Sequence, residues 1–202
     1  MQVGLVRHFK IPYRKWQWLD SDGYATFLRW YDDQEGHERE STHPHIRWQH
    51  CYSSDILRAR ATAERLGGVT PTTLSMLREI PQAPMFSTRL KMPLIVWHVL
   101  SRIGWWCNHS SQAEGRKASL ARVQRIIEWL RTLPEGQSSL VVTHGYLMYV
   151  LRRELKRAGW AGRIPLHPQG GEIYLWAMTR SRAERASAFR DSAVTGTGAT
   201  RT

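Results

Sequence analysis

Cysteine is scarce in this chain of 202 residues: only Cys51 and Cys107 occur. Two thiols cannot build a disulfide framework and suit a reducing compartment, with a single bridge left open. Long apolar runs are missing as well. The longest, Met92 to Leu100, contains His98 and falls far short of the ~20 residues that a membrane-spanning helix needs. The opening residues MQVGLVRHFK lack a basic region followed by an apolar stretch of roughly 7–15 residues and a small-residue cleavage site, so no secretory signal is expected. A cytoplasmic protein without a membrane partner is the resulting expectation. No block of five or more Lys/Arg occurs, and no internal repeat is found.

What is present is a 42% hydrophobic composition, enough for one globular domain with a sizeable core. Lys and Arg total 29 against 17 Asp and Glu, giving a formal net charge of +12. That excess concentrates anions around the protein and favours nucleic acid, a membrane surface or a phosphorylated small molecule as partner. The cations are scattered in pairs, such as Arg14 with Lys15 and Arg152 with Arg153, as solubilising charge usually is. Nucleic acid is therefore not the expected partner.

The order of elements follows from periodicity and punctuation. Residues 2–6 form a short apolar strand ended by Arg7-His8 and then Pro12. Asp20 to about Gln34 is amphipathic and helical. Ile46 to Tyr52 alternates as a strand, after which Ser53, Ser54 and Asp55 offer caps for a helix closed by Gly67-Gly68. Thr72 to Leu77 reads as a third strand. From Ile80 to about Ala113, prolines, tryptophans and an apolar segment suggest a cap or lid inserted between the main layers. Glu114–Leu133 is a helix, Ser139–Thr143 a strand, Tyr146–Gly159 a helix and Glu172–Ala177 a last strand. One domain over 1–178 is expected, with 179–202, rich in Ser, Thr, Gly and Ala, as a flexible tail.

Strands alternating with helices predict a three-layer α/β/α sandwich around a mostly parallel sheet, with the ligand site outside the strands' carboxyl ends. Polar residues gather at those ends. Arg7 and His8 follow the first strand, Arg58 lies one turn into the helix after the second, Glu79 follows the third, and His144-Gly145 follows SLVVT. Alone, each has an ordinary structural reading. Together, two imidazoles, two guanidiniums and one carboxylate suit a phosphate dianion, with helix starts at Ser54 and Gly145 adding backbone N–H groups.

LVRHFK, YSSDILRARATAE, LREIP and VVTHGYLM resemble, in order, the motifs of the histidine phosphatase superfamily, which includes phosphoglycerate mutase. The resemblance runs from residue 2 to about 178, and Ser54, Arg58, Ala59 and Thr62 stand at the family's spacing. It implies a phosphoglycerate mutase-like fold and hydrolysis of a small phosphorylated substrate. His8 would be the nucleophile carrying phosphohistidine, Arg7, Arg58 and His144 would bind phosphoryl oxygens, and Glu79 would be the proton donor. With two guanidiniums supplying positive charge, no metal or cofactor is expected. A phosphoglycerate mutase-like phosphotransferase and a catalytically silent phosphate or polyanion binder remain as alternatives.

The sequence departs from the family after the nucleophile, where glycine is usual and Phe9, Lys10 and Ile11 stand instead. Lys10 adds a cation and is expected to contact substrate. His37, His43, His45, His50 and Cys51 fit no standard zinc spacing. Trp97, Trp105 and Trp106 are expected to form a small core of the cap or a contact between two copies of the chain.

Overall fold

The computed structural model describes residues 2–37 and 46–178. The strands β1 (Gln2–Arg7), β3 (His50–Ser53), β4 (Thr72–Thr73), β6 (Ser138–Thr143), β7 (Trp160–Gly162) and β8 (Ile173–Met178) form one sheet in the order β4-β3-β6-β1-β8-β7. The first four are mutually parallel; β8 runs antiparallel to β1, and β7 antiparallel to β8. The short β2 (Trp18–Leu19) and β5 (Met92–Pro93) make a separate antiparallel ribbon. The helices are α1 (Ser21–Asp32), α2 (Leu57–Gly67), α3 (Leu94–Trp106), α4 (Arg116–Arg131) and α5 (Gly145–Arg157).

The two sheet faces are built by alternation along the central strands. Val3 and Leu5 of β1 and Val141 of β6 join Ile126, Ile127 and Leu151 of α4 and α5 in one buried cluster. Val6, Leu140 and Val142 face the other way, against Ala59 and Ala63 of α2. Gly4 belongs to this second face, where a Cβ would lie 2.5 Å from the Trp48 ring, so the strand keeps glycine to let the indole pack flat. The result is the expected α/β/α sandwich.

Several boundaries differ from the sequence reading. Residues 46–49 lie outside β3, and the strand expected over 72–77 lasts two residues before a 3₁₀ turn at Ser75–Leu77. The helix expected to be capped by Ser53, Ser54 and Asp55 starts at Leu57, after an extended Ile56 with no side-chain cap. Ser54 instead donates its backbone N–H to Val142 O at 3.0 Å, which extends strand pairing beyond β3. Cys51 is buried and Cys107 exposed, and both are free thiols.

The segment 80–113 is built around α3. Leu94 and Trp97 pack against Tyr24 and Phe27 of α1 in a third buried cluster. Trp97 stacks on Tyr24 at 5.5 Å and donates Nε1–H to Leu19 O at 2.7 Å. The irregular chain before α3 is tied by Gln112, whose side chain accepts from Ala83 N and donates to Ala83 O as a neighbouring strand would. Only part of the tryptophan expectation holds. Trp105 enters the main core rather than a cap core, bonding Ser119 Oγ, and Trp106 is exposed.

Because Trp97 holds β2, α1 and α3 together, Trp97→Ala is expected to cost ~3–5 kcal/mol. The unfolding free energy from urea titration should fall by that amount; an unchanged value would mean the cap packs independently of this ring.

Candidate active site

Four parallel strands end at one edge, and the polar residues arrive there in the order the sequence implies. His8 follows β1 and anchors its N–H on Thr143 O of β6 at 2.9 Å. Its ring is 2% exposed. Nδ1 lies 2.7 Å from Phe9 O, and since a carbonyl only accepts, Nδ1 carries the proton. Arg58 Nε donates to His8 Nε2 at 3.3 Å, and since a guanidinium only donates, Nε2 presents its lone pair. Two independent contacts thus select one tautomer. Burial, then the charges of Arg58 and Arg7, hold the His8 pKa well below the ordinary range.

Arg58 is itself 2% exposed and fixed from three sides. Its Nη1 donates to Tyr31 O at 3.2 Å and to Asp32 Oδ1 at 3.0 Å, and its guanidinium lies 4.9 Å from the Tyr31 ring centre. Thr62, one turn further along α2, donates to Arg58 O at 2.8 Å and accepts from Phe9 N at 2.9 Å. One hydroxyl therefore couples the loop that carries His8 to the helix that carries Arg58.

Arg7 donates Nη1–H to Pro168 O at 3.1 Å. Its guanidinium lies close to Gly145: an added Cβ would meet Nε at 3.0 Å, so any side chain there would press Arg7 aside by a few tenths of an ångström. His144 is wholly buried, with its ring centre 5.1 Å from that of His8. Neither of its nitrogens has a hydrogen-bond partner among the described residues. Burial, then the charges of His8, Arg58 and Arg7, keep His144 neutral.

Glu79 is gripped by backbone. Oε1 accepts from Ile80 N and Leu147 N, both at 2.9 Å, and Oε2 accepts from Tyr146 N at 3.0 Å. The carboxylate thus caps α5, whose residue at the cap position, His144, makes no capping bond. This corrects the expectation that helix starts at Ser54 and Gly145 would offer free N–H groups: α2 does not begin at Ser54, and two early amides of α5 are taken by Glu79.

His8, Arg7, Arg58 and Glu79 lie at a cavity of about 940 Å³, whose lining also includes Arg78, Arg102, Arg122, Asp32 and Glu114; the wholly buried His144 stands behind His8, off the lining. Five cations face three carboxylates. Arg122 is paired to Glu114 at 2.7 Å and Arg58 to Asp32, while Arg78 is held at 2.6 Å by Asp55. Arg7 and Arg102 have no ion pair among the described residues, Arg102 lying instead 3.6 Å over the Tyr146 ring. The surplus suits a dianion. Aromatic side chains of Tyr13, Phe27, Tyr31, Tyr146 and Tyr149 form much of the remaining wall.

The positions not gathered are also informative. Lys10 is exposed and off the cavity lining; its backbone carbonyl accepts from His37 N at 3.0 Å. Phe9 is 1% exposed and likewise off the lining, with its ring 5.9 Å from the Arg65 guanidinium. Replacing the family's glycine therefore leaves the cavity open. Of the histidine-rich stretch, His43 and His45 fall outside the described residues, and His50 bonds Gln137. Among the described residues no group of three or more His, Cys, Asp or Glu is placed to hold a metal. The sequence reading missed Asp32, Arg102, Arg122 and His98; the last, with Gln82 and Tyr24, forms a polar network on the cavity wall.

A model of the histidine phosphatase superfamily (branch 1) matches residues 39–184. The chain belongs to the histidine phosphatase superfamily. Its matched span starts downstream of Arg7-His8, so that pair rests on position at the end of β1. No curated protein is a significant sequence match. Solved structures share the histidine phosphatase fold. Bacillus stearothermophilus YhfR is 18% identical with a TM-score of 0.53, covering 89% of this chain and 96% of its own. A mycobacterial glucosyl-3-phosphoglycerate phosphatase is 19% identical with a TM-score of 0.53, covering 89% and 91%. An Escherichia coli K-12 protein provisionally assigned as an alpha-ribazole-5'-P phosphatase is 17% identical with a TM-score of 0.53, covering 89% and 95%. At these identities the likeness concerns fold.

Two buried histidines, His8 and His144, and the half-buried His98 make stability depend on pH. His8 and His144 are depressed as above, and burial, then Arg102, lowers His98 to about 4. In the unfolded chain each titrates near 6.5. The unfolded state therefore binds more protons below about pH 6.5, and folding weakens there by about 1.4 kcal/mol per pH unit per histidine. Urea midpoints should be level above neutrality and fall steadily from about pH 6.5 towards 4; a flat profile would show that these imidazoles protonate freely in the fold.

Proposed function

We propose that the protein is a phosphatase of small phosphomonoesters that works through phosphohistidine on His8. The observation that carries this reading is the single tautomer of a buried, neutral imidazole whose Nε2 lone pair faces a guanidinium. A nucleophilic imidazole must be neutral, with one nitrogen free of its proton and the other held.

In the first step a phosphoryl group entering beside Arg58 exchanges the Arg58–His8 bond for bonds from Arg58 to its oxygens. Arg7 supplies a second guanidinium, and neutral His144, its ring centre 5.1 Å from that of His8, donates its one N–H to a phosphoryl oxygen. His8 Nε2 bonds to phosphorus, the bond from phosphorus to the ester oxygen breaks, and Glu79 in its protonated form gives that oxygen its proton. In the second step Glu79, now a carboxylate, takes a proton from water; the water oxygen attacks phosphorus, and His8 leaves neutral with release of inorganic phosphate. Fixed donors around the phosphoryl oxygens stabilise the charge that develops, each commonly worth a factor of about 10²–10³. Glu79 is positioned by its three backbone N–H bonds, which leave lone-pair capacity on Oε2.

Lys10 takes no part in this scheme, since it stands away from the cavity. Phe9 contributes its carbonyl, which orients His8, while its ring packs elsewhere. This favours turnover over a silent binding pocket.

The purified protein is expected to hydrolyse an aryl phosphate without added metal and to be inhibited by vanadate. His8→Ala should lower kcat/KM by roughly 10³-fold or more, and Arg58→Gln by about 10²–10³. Turnover retained by the His8 variant would overturn the mechanism.

A further inference from the structure

The cap carries a surface that this chemistry does not use. Trp16 and Trp18, at the start of the β2–β5 ribbon, are 73% and 64% exposed, with Arg14 and Lys15 exposed beside them. Across the ribbon, Leu90 is 66% exposed between the exposed Arg89 and Lys91. The ribbon runs directly into α3, whose faces differ. Leu94, Trp97, Ser101 and Trp105 are buried, whereas Ile95, Val99, Ile103 and Trp106 recur at helical spacing along the outer face and stand exposed. A groove of about 440 Å³ on that face is lined by Val99, Ile103 and Trp106 together with His98 and Arg102. The last two also line the catalytic cavity, so apolar surface reaches its edge. Large apolar side chains exposed in this number on neighbouring elements mark a surface that associates with something.

Charge identifies the partner. No Asp or Glu occurs in residues 1–19 or 80–113, although the chain holds 17 elsewhere. The first carboxylate after the ribbon strand, Asp20, is committed to capping α1 through Gly23 N. Arg116 adds a further cation, 4.3 Å over the Trp106 ring. A second copy of the chain would bring this cationic surface against itself, since a two-fold contact sets the same patch on both sides. Nucleic acid would satisfy the cations but gains from rings on which bases stack, and the outer stripe of α3 is mostly aliphatic. Indoles flanked by Arg and Lys, backed by isoleucine and valine, suit an anionic lipid interface. There the indoles lie at headgroup level, the aliphatic side chains enter the acyl boundary and the cations meet lipid phosphates.

We propose that the β2–β5 ribbon and the outer face of α3 dock the protein peripherally on an anionic membrane surface, with the catalytic cavity beside the lipid. This revises the expectation that no membrane takes part: no helix among the described residues is long enough to cross one, but lying on a membrane needs none. The proposal stands whether or not the phosphatase reading does.

The test is co-sedimentation of the full chain with vesicles of phosphatidylcholine alone and of phosphatidylcholine mixed with an equal part of phosphatidylglycerol. Binding is expected to the mixed vesicles, weakened by salt. It should fall about ten-fold or more in Trp16→Ala/Trp18→Ala, and roughly five-fold for each of Lys15→Ala and Lys91→Ala. Val99→Asp probes α3 separately, and circular dichroism checks that each exposed-site variant keeps its fold. Absence of sedimentation with the mixed vesicles, or equal binding by all variants, would overturn the proposal. So would a concentration-dependent dimer, or tighter binding of a single-stranded oligonucleotide, that the same substitutions abolish.

Discussion

A hydrogen bond from the guanidinium of Arg58 to the imidazole of His8, 3.3 Å long and out of contact with water, is the constraint around which this site is organised. Burying a permanent cation against a ring that can itself become a cation is unfavourable unless the ring stays neutral and the cation has partners elsewhere. Both conditions are met. The Phe9 carbonyl takes the one imidazole proton, while Asp32 and the Tyr31 carbonyl at the end of α1 balance Arg58. Thr62 then locks the His8 loop to α2, and Gly145 gives Arg7 room to approach. Apart from the Phe9 carbonyl and the Thr62–Arg58 bond, these contacts cross between elements far apart in the chain, so the site exists only in the assembled sheet.

The layers were legible in the sequence because alternation and helical periodicity are imposed by burial, and burial on both faces of β1 and β6 is what the sheet requires. Arg7, His8, Arg58, Glu79 and His144 could be placed at one edge because parallel strands bring their carboxyl ends together. Short elements were not legible. β2, β5 and β7 are two or three residues long, too brief to show a period, and are fixed by pairing partners distant in sequence. Hydroxyls at the start of α2 looked like caps, yet strand pairing claimed the Ser54 backbone first. Asp32 and Arg102 carry no local motif and acquire meaning only through what they face.

Phe9 shows how a departure from a family pattern can be neutral for a cavity. Its backbone does the work nearest the site, through a carbonyl and an N–H that any residue supplies, while its ring is directed to the α2 side near Arg65. Its neighbour Lys10 seemed functional because a cation beside a phosphate site is chemically apt, but alternation turned it outward to solvent. The cap repeats the theme on a larger scale. Trp97 and Trp106 lie on one apolar helix, but only the first has a partner inside the fold.

The central claim is that Nε2 of His8 accepts the phosphoryl group. Rapid quench in alkaline detergent of the protein turning over a radiolabelled phosphomonoester, followed by peptide mapping at alkaline pH, tests it most directly. The account predicts label on the peptide containing His8, lost in acid and stable in alkali. Turnover with no label on the protein, or with label on a peptide lacking His8, would contradict it.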